Sequence, residues 1–222
     1  MALIVADGDV PARAFVERLI GQGTDDVLVI AADGGALKAE SLGLAPAVVV
    51  GDADSLAADQ AERLRRSGTE VIVHPAAKDE SDTELAVLEA LRRGATRLVI
   101  VGAFGGRRFE HSLANVLLLA SANLRGVDAC LADGAGTLRV LTAGERLELD
   151  SQPGDFVSLL PLSERATGVT TAGLRYALDD AVLEQGPARG LSNEMTTSRA
   201  SVRLATGRLA VVHSPRSQEA DR

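Results

Sequence analysis

The sequence has no tryptophan, one tyrosine, one cysteine and two methionines. With Cys130 alone no disulfide can close within the chain, and a small buried thiol fits a reducing compartment. Positive charge is also short: 23 Lys and Arg stand against 31 Asp and Glu, a formal net charge of −8. That balance argues against nucleic acid or an anionic membrane as the main partner, because both reward clustered basic residues. No apolar run approaches the roughly 20 residues of a membrane-spanning helix. The opening "MALIVADGD" has no basic segment leading into a long apolar one, so no signal peptide is expected. These absences lead to the expectation of a cytoplasmic chain whose 222 residues make one large domain or two small ones.

Two textures divide the chain. Up to about residue 140, short apolar runs ("ALIVAD", "DVLVIAADGG", "PAVVVGD", "TEVIVHP", "RLVIVGA", "VDACLAD") alternate with helical patterns. The runs are apolar on both sides, as strands covered by helices on both faces must be. The clearest helix begins near Ser81, with Leu85, Leu88 and Leu91 as its stripe and "RRG" as its stop. A longer helix is expected after "GAFGGRR", with Phe109, Leu113, Val116, Leu117, Ala120 and Leu124 on one face. Such alternation predicts an open, mostly parallel α/β sheet over residues 1–140. Beyond it, "RLELD", "DFVSLLPL", "ASVRLA" and "RLAVVHS" are short strands separated by turn signals, which predict a small antiparallel β domain over 141–222. The polar tail from Pro215 is expected to fray.

Four polar clusters fall at the carboxyl ends of predicted strands, where open α/β sheets bind ligands. They are "AADGG" with Asp33, "GDADS" with Asp52, Asp54 and Ser55, "KDESD" with Lys78, Asp79, Ser81 and Asp82, and "GAFGGRRFEH". Singly, each acid reads as turn chemistry or a helix cap. Together they converge on one rim, where carboxylates about 4–5 Å apart would repel by roughly 3–4 kcal/mol at an effective dielectric of 20. A divalent cation removes that cost. Oxygen donors in small number suit magnesium completed by phosphate oxygens, whereas the three histidines and one cysteine show no zinc spacing. The "GAFGGRR" loop is either a phosphate cradle with Arg107 or Arg108, or a plain turn. It lacks the Walker A pattern. His111 and Asn115, four apart beside Glu110, fit a site or a solvated helix start.

With these clusters in hand, the sequence resembles the thiamine pyrophosphokinase (thiamine diphosphokinase) family along nearly its whole length. The matching segments occur in the family's order: "ADGG", "GDADS", "KDESDTELA", "GGRRFEHSLAN", "GLRYAL" and "GLSNE". Ser81 stands where threonine is usual, Glu110 where aspartate is usual, and Tyr176 where many members have tryptophan. The glycine loop is one residue longer, and Arg108 preserves the R-x-acid-H order.

The resemblance implies an N-terminal nucleotide domain, a C-terminal β-sandwich and a homodimer with shared active sites. It implies transfer of the pyrophosphoryl group of ATP to thiamine, giving thiamine diphosphate and AMP. Asp52, Asp54 and Asp82 would hold Mg2+, while Lys78 and Arg108 would counter charge on the transferred group. Asp33, Asp79, Ser81, Glu110, His111 and Asn115 would serve ATP, and Tyr176, Ser192 and Asn193 thiamine. Rival readings are a ligand-binding regulator without catalysis, or a magnesium-dependent phosphatase or kinase for another small alcohol.

Overall fold

A computed structural model describes residues 1–21, 26–52, 58–106 and 108–216. Contacts divide the chain into two units, Met1–Leu118 with Gly126–Gly134, and Leu119–Arg125 with Ala135–Arg222. In the first, the elements run β1 (Ala2–Val5), α1 (Arg13–Ile20), β2 (Leu28–Ala32), α2 (Gly35–Ser41), β3 (Val48–Gly51), α3 (Ala58–Arg66), β4 (Glu70–Val73), α4 (Asp82–Arg92), β5 (Arg97–Val101), α5 (Phe109–Leu118) and β6 (Asp128–Asp133). The strands form a parallel sheet in the order β6-β5-β1-β2-β3-β4.

Every residue of β1 and β3 is buried, which explains their unbroken apolar sequences. Leu3, Val5, Val29, Val99 and Val101 pack with Phe15, Val16 and Ile20 of α1, with Ala39 of α2 and with Leu42 just beyond it. The alternate residues Ile4, Ile30, Leu98 and Ile100 are equally buried, so both faces of the sheet are covered. Helix α4 starts where the sequence places it. The Ser81 hydroxyl oxygen accepts a hydrogen bond from the Glu84 amide at 3.1 Å, and Gly94 beyond the helix adopts φ +84°.

The second unit contains β7 (Gly136–Thr142), β8 (Arg146–Asp150), β9 (Phe156–Pro161), β10 (Arg165–Ala172), β11 (Ala181–Glu184), β12 (Asn193–Glu194), β13 (Arg199–Arg203) and β14 (Arg208–Ser214). Strands β12-β9-β14-β7 and β11-β10-β13-β8 make two antiparallel sheets. Val157, Leu159, Leu209 and Val211 of one share a core with Ala166, Val169, Leu183 and Val202 of the other, a β-sandwich. The fold class is therefore the α/β unit plus antiparallel β-sandwich that the two textures require.

One expectation fails in part, and another lies mostly outside the described residues. Helix α5 ends at Leu118 and only a 3-10 turn over Ala122–Leu124 follows, capped by Ser121. Much of its apolar stripe is exposed: Phe109 is 81 % exposed and Leu113 and Leu117 about half, while Leu124 is buried beyond the helix and Asn115 is the buried residue within it. A 3.6-residue period identifies an apolar face, but not whether this chain supplies the surface that covers it. The start of the tail is also anchored rather than frayed. The Arg216 amide donates to Asp155 Oδ1 at 2.9 Å and its guanidinium lies 5.8 Å over the Phe156 ring. Residues 217–222 lie outside the described residues.

Candidate active site

In the parallel sheet the chain moves outward from β1 through β4 and then returns to β5 beside β1. Such a switch point leaves a crevice beyond the carboxyl ends of the strands. Here the loops after β1 and β5 are joined by Gly8 N–H to the Gly102 carbonyl at 2.8 Å and Asp9 N–H to the Phe104 carbonyl at 2.7 Å. A Cβ on Gly8 would overlap both the Phe104 and Gly102 carbonyl oxygens, so the loops can approach only with glycine there. Gly105 at φ +76° would likewise drive a Cβ into the Asp9 carboxylate. These loops, with the ends of β2 and β3 and the start of α4, enclose a cleft of about 930 Å³.

The cleft is lined by Asp33, Asp52, Lys78, Ser81, Asp82, Arg108, Glu110, His111 and Asn115, all expected from the sequence. Lys78 is its deepest cation, with a side chain 11 % exposed and Nζ 2.6 Å from Asp82 Oδ1. Burial works against the Lys78 charge. The Asp82 hydrogen bond and the charges of Asp82, Asp52 and Asp33 outweigh it, and the ammonium pKa is raised. Lys78, in the loop between β4 and α4, thus senses carboxylates that follow β2 and β3 and open α4. Asp33 is buried with φ +47°, a left-handed conformation that aspartate tolerates better than most residues and that clusters at functional sites. Arg108 Nε pairs with Glu110 Oε1 at 2.6 Å, and that bond holds the exposed Glu110 carboxyl below its ordinary range. Asn115 donates from Nδ2 to the Ala103 carbonyl at 2.8 Å, fastening α5 to the loop after β5.

Other expected residues stand differently. Asp54 and Ser55, with the alternative arginine Arg107, lie outside the described residues. Asp79 is exposed and its neighbour Glu80, not Asp79, lines the cleft. Ser81 lines it while acting as the helix cap, so its hydroxyl oxygen already serves the backbone. The sequence reading also missed Asp7 and Lys38 on the cleft wall. Asp7 stands in "DGD" just after β1, where the strand-end rule that marked Asp33 also applies, whereas Lys38 lies inside α2. Lys38 makes no ion pair among the described residues, in contrast to Lys78 and Arg108.

No group of three or more His, Cys, Asp or Glu among the described residues is placed to hold a metal ion. Asp52 and Asp82 nevertheless fit magnesium as it is commonly held near phosphates, by one or two carboxylates with substrate oxygens completing the shell. The donor set suits a metal that arrives with a polyphosphate, not an all-protein cage.

Tyr176, Ser192 and Asn193 form a second cluster, within the β-sandwich unit. "GLRYAL" is not a continuous strand: Leu174 makes an isolated bridge with Met195, and Tyr176 follows in a turn with its side chain 64 % exposed. Asn193 is buried. Its Oδ1 accepts from the Tyr176 and Glu194 amides, each at 2.9 Å, and its Nδ2 donates to the Tyr176 carbonyl at 2.8 Å. Three of the four bonds this amide can make are with backbone, so Asn193 fixes the Tyr176 segment. Ser192, at φ +55°, donates its amide to Ser158 Oγ at 3.0 Å.

A glycine-walled cleft of carboxylates, lysines and an arginine at the switch point of a parallel α/β sheet defines a phosphate-handling α/β protein. Comparison with known proteins narrows the class. Residues 24–131 match the family model for the thiamin pyrophosphokinase catalytic domain, and residues 145–209 the model for its vitamin B1 binding domain. A thiamine pyrophosphokinase of Bacillus subtilis (strain 168) is 28 % identical over 211 residues, 95 % of this chain and 97 % of that one. Crystal structures of a family protein from Enterococcus faecalis (TM-score 0.81, 27 % identity, 96 % of this chain and 98 % of that one) and of the Geobacillus thermodenitrificans protein (TM-score 0.81, 27 %, 98 % and 99 %) share its fold. The chain belongs to the thiamine pyrophosphokinase family. It is accordingly a transferase of the kinase type, a thiamine diphosphokinase.

Proposed function

We propose that the cleft of the α/β unit binds ATP with Mg2+ and that the thiamine hydroxyl attacks the β-phosphorus in line, AMP leaving. The observation that carries this reading is the convergence of Lys78, Asp82, Asp52 and Asp33 on one rim, close enough for the acids to stabilise the lysine's charge. Reactions of this kind need positioning and charge neutralisation more than covalent help from the protein. Bound magnesium would supply neutralisation of the polyphosphate, with Asp52 and Asp82 as described ligands and Asp54 as a further one. Lys78 and Arg108 would stabilise charge on the transferred group and on departing AMP. Lys38 would add a ground-state contact to an anion. Asp33, Asp79, Ser81, Glu110, His111 and Asn115 would position the nucleotide, Asn115 by holding the Ala103 loop.

In the same reading residues 1–140 are the ATP-binding catalytic domain and 141–222 the thiamine-binding and dimerisation domain. Tyr176 offers an open aromatic face to the thiazolium or pyrimidine, with Ser192 and Asn193 at its side. The protein would work in the cytoplasm, where ATP is supplied, as a homodimer with shared sites. Phe109, Leu113 and Leu117, exposed one turn apart on α5, support a second copy as the surface that covers them.

The test is to incubate the protein with Mg-ATP and thiamine and to identify both products. Thiamine diphosphate with AMP supports the reading, and ADP overturns it in favour of a simple kinase. Mixing Asp52→Ala with Tyr176→Ala subunits should restore some activity if the sites are shared. A fully active monomer in sedimentation would remove the dimer.

A further inference from the structure

Glu194 follows Asn193 in β12, and no motif in the sequence assigns it a task. Its Oε2 lies 3.0 Å from Arg175 Nη1 and its Oε1 3.6 Å from Arg216 Nη1, so one carboxylate bridges two guanidinium groups. Its backbone carbonyl also accepts from the Arg175 amide at 2.8 Å. Arg175 in turn stacks over the Tyr176 ring, 5.8 Å from the centroid. One face of the tyrosine is therefore occupied by a cation, and both nearby arginines share a single counter-charge. The Glu194 side chain is 24 % exposed against 60 % for each arginine, so the carboxylate is the inner, less mobile partner.

We propose that Glu194 is a positioning residue for the aromatic thiamine platform. It holds the Arg175 guanidinium on one face of Tyr176 and offsets much of its charge, leaving the other face open to a cationic aromatic ligand. This inference rests on the reading of Tyr176 as a thiamine contact. The physical reason is direct: an uncompensated guanidinium across a ring from a thiazolium repels it, whereas an arginine paired to a carboxylate presents little net field. The role requires no contact between Glu194 and the ligand.

Glu194→Gln keeps the shape and removes the charge. At low ionic strength it should raise the KM for thiamine about 3- to 10-fold, with kcat and the KM for ATP unchanged. The increase should shrink in 0.5 M salt (about a 4 Å Debye length), because screening removes the repulsion. Arg175→Gln combined with Glu194→Gln should bring the KM most of the way back, since the charge to be cancelled is gone. Glu194→Asp, which retains the carboxylate, should lie between the wild type and Glu194→Gln. An unchanged thiamine KM in Glu194→Gln, or a rise indifferent to salt and to the Arg175 change, would overturn the inference. Tyr176→Ala separates the two levels. If it raises the thiamine KM while Glu194→Gln does not, only the role of Glu194 falls. If it too leaves the KM unchanged, the tyrosine reading falls with it.

Discussion

Lys78 in the α/β unit has a side chain 11 % exposed and tied to Asp82 at 2.6 Å, whereas Tyr176 in the β-sandwich is 64 % exposed and bonded to Asn193 through its backbone. The first is a charge fixed by close, partly buried acidic neighbours. The second is an open face on a locked segment. A group that must hold charge against a reacting polyphosphate benefits from low exposure and set partners, because fixed dipoles and charges need not reorganise during reaction. A group that must meet a flat ligand benefits from a rigid backbone and a free ring. The α/β unit should therefore govern rate, and the β-sandwich affinity.

The largest test of that division lies in the cleft. Asp52→Ala should lower kcat by on the order of 10²-fold or more, and Lys78→Ala by about 10²–10³-fold, each with a smaller change in KM for ATP. Steady-state kinetics over a magnesium titration would show it. If Lys78→Ala raised only the KM, lysine would be a binding contact and the two units would no longer differ in kind.

Next in size is the backbone approach that shapes the cleft. Gly8→Ala places a methyl against the Phe104 and Gly102 carbonyl oxygens, which are backbone and cannot swing away. The loops after β1 and β5 must then part, at a cost of about 2–4 kcal/mol in stability together with loss of activity. Gly186→Ala in the β unit meets nothing within 4 Å but sits at φ +106°, so only conformational strain remains and the loss should be nearer 1 kcal/mol. Chemical denaturation compares the two directly. Equal losses would mean that close approach contributes nothing beyond φ.

These positions also show what the sequence could convey. The strands β1, β2, β3 and β5 were legible because parallel strands buried on both faces read as unbroken apolar runs, and α4 because Ser81 and Gly94 mark its ends. The clustering of Asp33, Asp52, Lys78 and Asp82 followed from the rule that such strands end on one rim. The length of α5 was misread because its apolar stripe continues past Leu118, and periodicity does not say whose surface such a stripe meets. Asp7, just after β1, obeys the same strand-end rule and was overlooked, whereas Lys38 reaches the cleft from within α2, which no local pattern encodes. The amide of Asn193 likewise turns to the Tyr176 backbone, a partner 17 residues away in sequence.

A smaller effect is expected at the aromatic face. Tyr176→Ala should weaken thiamine binding about 3- to 30-fold and leave ATP binding nearly unchanged, as measured by calorimetry with each ligand alone. A comparable loss of ATP affinity would break the assignment of recognition to the β unit.

The smallest test concerns the fold that supports the cleft, and it is read through pH. On α4, Glu89 is bonded by Arg92 Nε at 2.7 Å and by Arg93 Nε at 2.5 Å, and Arg93 reaches on to Glu70 at 2.6 Å. The Arg92 hydrogen bond, against the opposing effect of burial and with help from Arg93, lowers the Glu89 carboxyl from 4.5 to about 2. A folded-state pKa below the unfolded one means that the unfolded chain binds the proton more readily. The stabilisation is therefore complete above about pH 4.5 and is lost as pH falls toward 2. Arg92 is 66 % exposed, so solvent screens much of the pair and about 1 kcal/mol is expected at neutral pH. Glu89→Gln should be less stable than the wild type by that amount at pH 7, and the gap should close progressively between about pH 5 and pH 2. With no tryptophan in the chain, circular dichroism rather than indole fluorescence is the signal to follow during denaturation. In the β unit, burial pushes the Asp155 carboxyl up, but hydrogen bonds from Ser151 and from the Arg216 and Gln152 amides outweigh it and leave it lowered. Asp155→Asn should show the same sign of pH dependence. A gap that stays constant with pH in Glu89→Gln while closing in Asp155→Asn would mean that α4 is held by shape, and the β unit alone by charge.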